Sequence, residues 1–215
     1  MSEHARNEDL KAKAIEYLAG GTMHHTTHGK LPAELQPIVS KGSGSKFWDV
    51  NGKEYIDYVM GSGPLVLGHA HPAVVEAVNR QASAGSQFYN LSEPMIDLAE
   101  TIVNAVPCAK RIKFAGTGNE ATMMALRLAR AISGKSKILK MEGAYHGTHD
   151  YTAWAGTHKE PFEYPYGPRD SAGIPDALIG QVLVAPYNDI ETTGKIIEDN
   201  REDLAAVILE PLQRN

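Results

Sequence analysis

The sequence has little of several features that would place it in a special class of protein. Its 215 residues include one cysteine, Cys108, so no disulfide can form within the chain. No apolar run approaches the length of a membrane span, and the first residues are polar, unlike a signal peptide. The net charge is -5, so no basic surface favours nucleic acid as a partner. These absences predict a cytoplasmic protein that binds neither membranes nor nucleic acid.

Apolar residues recur in patterns that predict an α/β fold. Hydrophobic residues make up 42% of the chain, which is enough for a sizeable core. Short continuous apolar runs at 138–141, 182–185 and 206–209 are typical of strands buried on both faces, and hence of a mainly parallel sheet covered by helices. Other patterns predict a polar helix up to about Ala19, a hairpin over 46–58, a helix opened by Pro72 and a helix over 95–106.

A predicted strand, a glycine turn and a helix follow one another between Ile112 and Ile132. Apolar residues up to Ala115 predict the strand, and helical spacing from Ala121 onwards predicts a helix with one face on a sheet. The turn between them, G-T-G-N, places the Thr117 hydroxyl beside the free amides and the positive dipole end of the helix. These groups predict a phosphate site, and the alternative is a packing turn that binds no ligand.

Two kinds of phosphorylated cofactor fit this turn. The segment G-T-G-N-E-A satisfies the dinucleotide pattern G-x-G-x-x-G/A, with Glu142 placed to bind a ribose, which predicts an NAD-dependent oxidoreductase. The strand that ends near Glu142 is followed by Tyr145 and His146, however. Open α/β sheets bind ligands at the carboxyl ends of their strands, so an aromatic ring and an imidazole there favour a small phosphorylated heteroaromatic compound.

Two segments carry a resemblance to a known family. F-A-G-T-G-N-E-A-T-M-M-A-L-R-L-A-R and K-I-L-K-M-E-G-A-Y-H-G resemble the class III aminotransferases, most closely the members similar to glutamate-1-semialdehyde 2,1-aminomutase. The segment at 49–72 resembles the part of these enzymes that leads into the cofactor domain. The segments at 187–189 and 205–211 resemble later parts of the family sequence, in the same order. The resemblance implies pyridoxal 5′-phosphate (PLP) as the cofactor and the fold type I of PLP-dependent transferases, with a small N-terminal α+β segment.

The resemblance also implies roles for individual residues. In these enzymes the turn before the helix binds the cofactor phosphate, which assigns that role to Thr117, Gly118 and Asn119. The aromatic residue of the Y-H-G turn stacks on the pyridine ring and the histidine supports the ring's partners, which assigns these roles to Tyr145 and His146. Two further residues are expected near the cofactor: Glu210 and Asn215.

The positions expected near the substrate depart from the aminomutase pattern. Where aminomutases carry an arginine that binds the substrate carboxylate, this sequence has Thr27, and where they carry a tryptophan it has Ser62, followed by Gly63. Loss of a bidentate carboxylate partner changes the recognition chemistry. An ω- or β-amino-acid aminotransferase is therefore expected, and glutamate-1-semialdehyde 2,1-aminomutase proper is the alternative. A loop over 155–177, rich in proline and glycine, corresponds to a lid over the active site, or else is a surface excursion without a role.

Two catalytic parts of these enzymes have no counterpart in the sequence. The Schiff-base lysine and the aspartate that pairs with the pyridine nitrogen lie beyond the E-P motif in the family, so both are expected beyond Asn215. The aldimine chemistry of these enzymes cannot proceed without that lysine. No catalytic residue is therefore expected within the chain. Four lysines are instead expected to be solvated charges at strand edges or in loops: Lys113, Lys135, Lys137 and Lys140.

The chain is accordingly expected to be the N-terminal half of a longer enzyme. Residues 1–70 would form an N-terminal arm and small-domain segment, and residues 71–215 the first part of the large PLP-binding domain. Enzymes of this fold form dimers, so a homodimer acting on a small-molecule amino donor and acceptor is expected. A non-catalytic PLP-binding half-protein is the remaining alternative. No metal site is expected, because the histidines lack supporting ligands at a suitable spacing.

Overall fold

The computed structural model describes residues 3–19, 36–158 and 160–213, with side chains from residue 6 onwards. The chain divides into two compact units, Met1–Ile96 and Asp97–Asn215. The division expected from the sequence, after residue 70, concerns the domains of the longer enzyme and stays a prediction. Among the described residues, no helix has both the length and the apolar character that a membrane crossing requires.

The first unit contains helices and a small antiparallel sheet. Its sheet has the order β1-β2-β3, and the predicted hairpin over 46–58 is confirmed by the pairing of β2 with β3. Pro72 occupies the first turn of a helix as predicted. A further helix, α3, contains the division between the two units. The bounds are α1 Glu3–Tyr17, β1 Val39–Ser43, β2 Lys46–Asp49, β3 Glu54–Ile56, α2 Pro72–Ala84 and α3 Glu93–Ala105.

The second unit is built on a parallel sheet, as the three apolar runs predict. Its strand order is β5-β4-β6, and β4 pairs in parallel with both neighbours. Parallel strands need long crossover connections, and helix α5 supplies the one between β5 and β6. The bounds are α4 Gly118–Ser133, β4 Lys137–Met141, β5 Val182–Ala185, α5 Ile190–Asp199 and β6 Leu204–Ile208.

The central strand β4 is covered on both faces, which explains why its buried residues are apolar apart from Lys140. On one face, Leu139 and Met141 pack with residues of β5 and α5 into a buried cluster. The other face lies against a second cluster, the Trp154 cluster, which joins β5 to the loop that follows β4. The Trp154 cluster consists of Ala153, Trp154, Ala155, Ile174, Val182 and Val184.

Two sequence-based predictions in this unit are wrong. The stretch from Ile112 to Ala115 forms no strand, because no described strand lies beside it to share its backbone hydrogen bonds. Lys140 is not a solvated charge: it lies in the central strand and its exposed fraction is 0%. The remaining lysines of the prediction are exposed or partly exposed, as expected.

Candidate cofactor-binding site

The turn before α4 is held by reciprocal capping hydrogen bonds. Thr117 is the N-cap residue, and its hydroxyl oxygen accepts a hydrogen bond from the Glu120 amide at 3.1 Å. The Glu120 carboxylate in turn accepts from the Gly116 amide at 2.7 Å. This arrangement resembles a capping box, in which the third helical residue reaches back to the start of the turn. The S/T-x-x-E pattern thus explains why the helix begins where the sequence predicts.

The same turn leaves donors for an anion. The amides of Gly118 and Asn119 have no acceptor within the described part of the chain, and they lie at the positive end of the helix dipole. The Thr117 oxygen accepts one hydrogen bond, and its hydroxyl hydrogen remains to donate. A Cβ added at Gly118 would meet nothing within 4 Å, so the space beside this residue is open. The turn therefore fits a phosphate group.

A second turn, the Y-H-G turn over 145–149, is bonded directly to the first. The side-chain oxygen of Asn119 accepts hydrogen bonds from the backbone amides of Thr148 at 2.7 Å and His149 at 3.0 Å. One turn further along α4, the Thr122 hydroxyl donates to the backbone oxygen of His146 at 2.6 Å. Sequence reasoning missed Thr122, and it assigned Asn119 only to the phosphate. These bonds fix the two predicted parts of the site against each other.

Gly147 is required by the close approach of the two turns. Its φ is 106°, a conformation that residues with a side chain rarely adopt. An added Cβ would lie 2.4 Å from the side-chain oxygen of Asn119 and 3.0 Å from its Cα. The glycine of Y-H-G therefore has a geometric function, because it lets the turn reach the start of α4.

Tyr145 and His146 occupy different environments on this turn. Tyr145 is 48% exposed, and an exposed aromatic residue at this place suits stacking on a ligand. His146 is only 8% exposed, and its Nε2 atom is buried without a hydrogen-bond partner in the described structure. Burial and the positive charge of Lys140 lower the pKa of His146, so its imidazole is neutral at physiological pH. A buried imidazole nitrogen without a partner suits a site whose ligand completes its hydrogen bonds.

Glu210 joins the site from the neighbouring strand. It follows β6, and its carboxylate accepts a hydrogen bond from the Tyr145 amide at 2.9 Å. The carboxyl ends of β4 and β6 thus meet at one point, as expected for parallel neighbours. The structure therefore brings together the predicted cofactor residues that it describes. Two predicted residues, Thr27 and Asn215, lie outside the described residues.

Comparison with known proteins identifies the family. Residues 30–215 match the aminotransferase class-III family, and this match covers well over half of the chain. The chain belongs to the class III aminotransferases. It is 44% identical over 214 residues to glutamate-1-semialdehyde 2,1-aminomutase of Methanothermobacter thermautotrophicus, a match that covers 98% of this chain and 48% of the relative. The class III chain thus spans about half the length of the curated relatives that it matches.

Solved structures confirm the predicted fold class. An ω-transaminase from Sphaerobacter thermophilus is 35% identical, with a TM-score of 0.89 over 97% of this chain and 48% of that one. A transaminase solved with PLP bound is 30% identical, with a TM-score of 0.88 over 100% of this chain and 48% of that one. This class III chain therefore has the α/β fold of the PLP-dependent transaminases, fold type I.

In this class III chain Glu142 is engaged by the loop over 155–177. Its carboxylate lies 2.9 Å from Nε2 of His158 and accepts a hydrogen bond from the Tyr164 hydroxyl. The loop's base is also fixed, because the Asp170 carboxylate accepts from the Gly156 amide at 2.9 Å. The carboxylate that the dinucleotide alternative assigns to a ribose is therefore bound by two side chains of the protein. This geometry disfavours that alternative.

The segment that contains Ser62 and Gly63 lies in the first unit and has an unusual backbone. Four consecutive residues have positive φ values: 48° at Met60, 66° at Gly61, 68° at Ser62 and 108° at Gly63. Non-glycine residues in this conformation each cost about 1–3 kcal/mol, and they are concentrated at functional sites. The segment is anchored by Asp57, whose carboxylate accepts from the Val59 and Met60 amides. The backbone geometry marks these residues as candidates for a binding role.

Proposed function

We propose that the complete protein is a PLP-dependent aminotransferase and that this chain contributes the side of the active site that holds the phosphate and ring of PLP. One observation carries the proposal. The backbone amides of Gly118 and Asn119 fit a phosphate. The side chain of Asn119 accepts hydrogen bonds from the turn that presents the exposed Tyr145 ring, so the two parts are held together. A phosphate site and a stacking ring held together in this way suit a small phosphorylated heteroaromatic cofactor.

Each residue has a separate task in this proposal. The Thr117 hydroxyl and the amides of Gly118 and Asn119 donate to the phosphate, and Tyr145 covers one face of the pyridine ring. Neutral His146 supplies a buried nitrogen beside the ring, and the Glu210 carboxylate holds the backbone of the turn in place. When bound, PLP supplies the electron sink for amino-group transfer. The lysine and the aspartate that complete this chemistry are expected in sequence outside these 215 residues.

The substrate class is inferred from position 62, where this chain departs from the aminomutase pattern. Ser62 is exposed there, with a small side chain at a position where the resembled aminomutases carry tryptophan. A serine leaves more room than tryptophan for the substrate's side chain, which supports an ω- or β-amino acid, or a related amine, as the amino donor. The aminomutase remains the second candidate, because a curated relative with that name is 44% identical to this chain. Thr27 supports the same proposal, because it stands where the resembled aminomutases carry the arginine that binds the substrate carboxylate.

The remaining expectations concern the whole protein. We expect a cytoplasmic homodimer that binds a small-molecule amino donor and acceptor. Asn215 remains a proposed contact to the cofactor ring, and the loop over 155–177 a proposed lid.

A spectroscopic half-reaction tests the function. The full-length protein, reconstituted with PLP, is mixed with one amine at a time from a set of α-, β- and ω-amino acids, without any acceptor. A transaminase converts the bound cofactor to pyridoxamine phosphate in a single turnover, and pyruvate then restores the original spectrum. Turnover of glutamate-1-semialdehyde alone, with no response to the other amines, would identify the aminomutase instead.

Two further results would contradict the proposal. Tight binding of PLP without any half-reaction would support the non-catalytic alternative. Binding of NAD in calorimetry, with no PLP bound, would support the oxidoreductase.

A further inference from the structure

Lys140 occupies a position where an apolar residue would be expected. It lies in the central strand β4, where it is paired with Val184 of the Trp154 cluster, and none of its surface is exposed. Its ammonium group donates a hydrogen bond to the backbone oxygen of Trp154. A buried ammonium loses its hydration, and well-packed apolar residues are often more stable at such positions. Packing alone therefore gives no reason for a lysine here.

The charges around Lys140 belong to the proposed cofactor site and to the base of the loop over 155–177. Burial lowers the pKa of Lys140 to about 8, while the carboxylates of Asp170 and Glu210 act in the opposite direction. Asp170 binds the amide of Gly156 at 2.9 Å, which lies at the start of the loop. Glu210 binds the amide of Tyr145 at 2.9 Å. Lys140 thus carries a buried charge on which these two anchoring carboxylates act.

The consequence for Glu210 is electrostatic. Its carboxylate accepts from the Tyr145 amide, and a buried cation nearby stabilises a negative charge held at that place. Without Lys140, the Glu210 carboxylate would lose its opposing charge, and the Trp154 oxygen would lose its donor. Both changes act on backbone segments that border the Y-H-G turn.

We propose that Lys140 is a positioning residue of the cofactor site: its buried ammonium holds the Trp154 backbone and opposes the charge of Glu210, and so fixes the turn that presents Tyr145 and His146. This inference rests on the proposed function, because the turn has to be fixed only if a ligand binds to it.

A double-mutant cycle tests the coupling. Pyridoxamine 5′-phosphate is titrated into the cofactor-free full-length protein and followed by tryptophan fluorescence, since this probe cannot form a covalent bond with a lysine. Lys140→Met and Glu210→Gln should each weaken binding by about tenfold, which is the effect of about 1.4 kcal/mol. The double variant should lose clearly less than the hundredfold of additive effects, because the charge interaction between the two residues can be lost only once. Circular dichroism checks that each variant is folded.

Two variants sharpen the cycle. Lys137→Met is the matched control, because Lys137 lies at the other end of β4, partly exposed and paired with Asp203 at 3.2 Å. It should leave binding of the probe unchanged. Lys140→Gln keeps a donor for the Trp154 oxygen without the charge, and it should reproduce the coupling with Glu210. It also replaces Lys140→Met in the cycle if the methionine variant yields no folded protein.

The outcomes separate this inference from the proposed function. If wild-type protein binds the probe and the effects of Lys140 and Glu210 are additive, the positioning role is wrong and the proposed function stands. If Lys140→Met and Lys140→Gln both bind pyridoxamine 5′-phosphate as tightly as the wild type, the inference is also wrong. If wild-type protein binds neither the probe nor PLP, the proposed function fails, and the inference fails with it.

Discussion

Lys140→Met should change how stability depends on pH, in a direction fixed by burial. Burial lowers the pKa of Lys140 from 10.5 to about 8 in the folded protein. Below the lower value the lysine is charged in both states, so the folded state carries the full cost of desolvation. Between the two values the unfolded chain binds more protons, so the free energy of unfolding of the wild type rises with pH. The methionine variant lacks this rise.

The magnitude follows from the pKa values. A change from 10.5 to about 8 corresponds to about 3 kcal/mol, at about 1.4 kcal/mol for each pH unit. Methionine removes this cost at neutral pH but leaves the buried Trp154 oxygen without its donor, which costs about 1–3 kcal/mol. The two changes nearly cancel, so the variant should match the wild type at about pH 7 to within about 2 kcal/mol. By about pH 11 the wild type should have gained about 3 kcal/mol relative to the variant.

Urea unfolding of the cofactor-free protein at a series of pH values measures this difference. Tryptophan fluorescence follows unfolding, with Trp154 in the cluster that contacts Lys140, and subtracting the two curves cancels the titrating groups that Lys140 does not influence. The pKa of His146, which the charge of Lys140 lowers, lies below the pH range in which Lys140 titrates. Lys137→Met serves as the control for replacing a lysine of the same strand, because Lys137 is partly exposed and lies at the other end of β4. Parallel curves for wild type and Lys140→Met would refute the reasoning, because they would mean that Lys140 keeps an ordinary pKa.

Three other substitutions test separate parts of the site. Thr117→Ala should weaken binding of pyridoxamine phosphate by about tenfold, since a hydrogen bond to a charged acceptor contributes about 1.5–3 kcal/mol, whereas Thr117→Ser should bind normally; equal losses in both would contradict a role for the hydroxyl. Gly147→Ala should lower the thermal unfolding midpoint, because its Cβ would meet a side-chain oxygen at 2.4 Å, while Gly173→Ala, with open space around it, should not. Glu142→Gln should speed limited proteolysis within 155–177, because it weakens the contacts with the loop; an unchanged cleavage rate would show that these contacts do not restrain it.

Much of the fold could be predicted because its signals are local. Strands β5 and β6 are continuous apolar runs, β4 is apolar apart from its lysines, and α4 begins at a capping pattern that needs only four adjacent residues. Glu210 was expected near the cofactor only from the resemblance, and its contact with the Y-H-G turn agrees with a general rule, since carboxyl ends of parallel strands lie at one edge of a sheet.

The errors and omissions concern interactions between residues distant in sequence. A lysine in a strand is most often solvated, and only the cluster formed by the following loop shows that Lys140 is enclosed. Asn119 was expected to face a phosphate, but its side-chain oxygen is used by amides nearly thirty residues away. The engagement of Glu142 by His158 likewise depends on the path of an irregular loop, which periodicity does not predict.

The strand order β5-β4-β6 also matters for anyone who produces these 215 residues by themselves. Within the described chain, β6 is hydrogen-bonded only to β4, so its other edge presents free backbone donors and acceptors. The apolar side chain of Val207, 40% exposed, lies on this strand, and no charged residue interrupts the run from Leu204 to Ile208. Such an edge recruits strands from other molecules. Self-association in concentrated samples is the result to expect, and a separately supplied segment could suppress it by adding a fourth strand there.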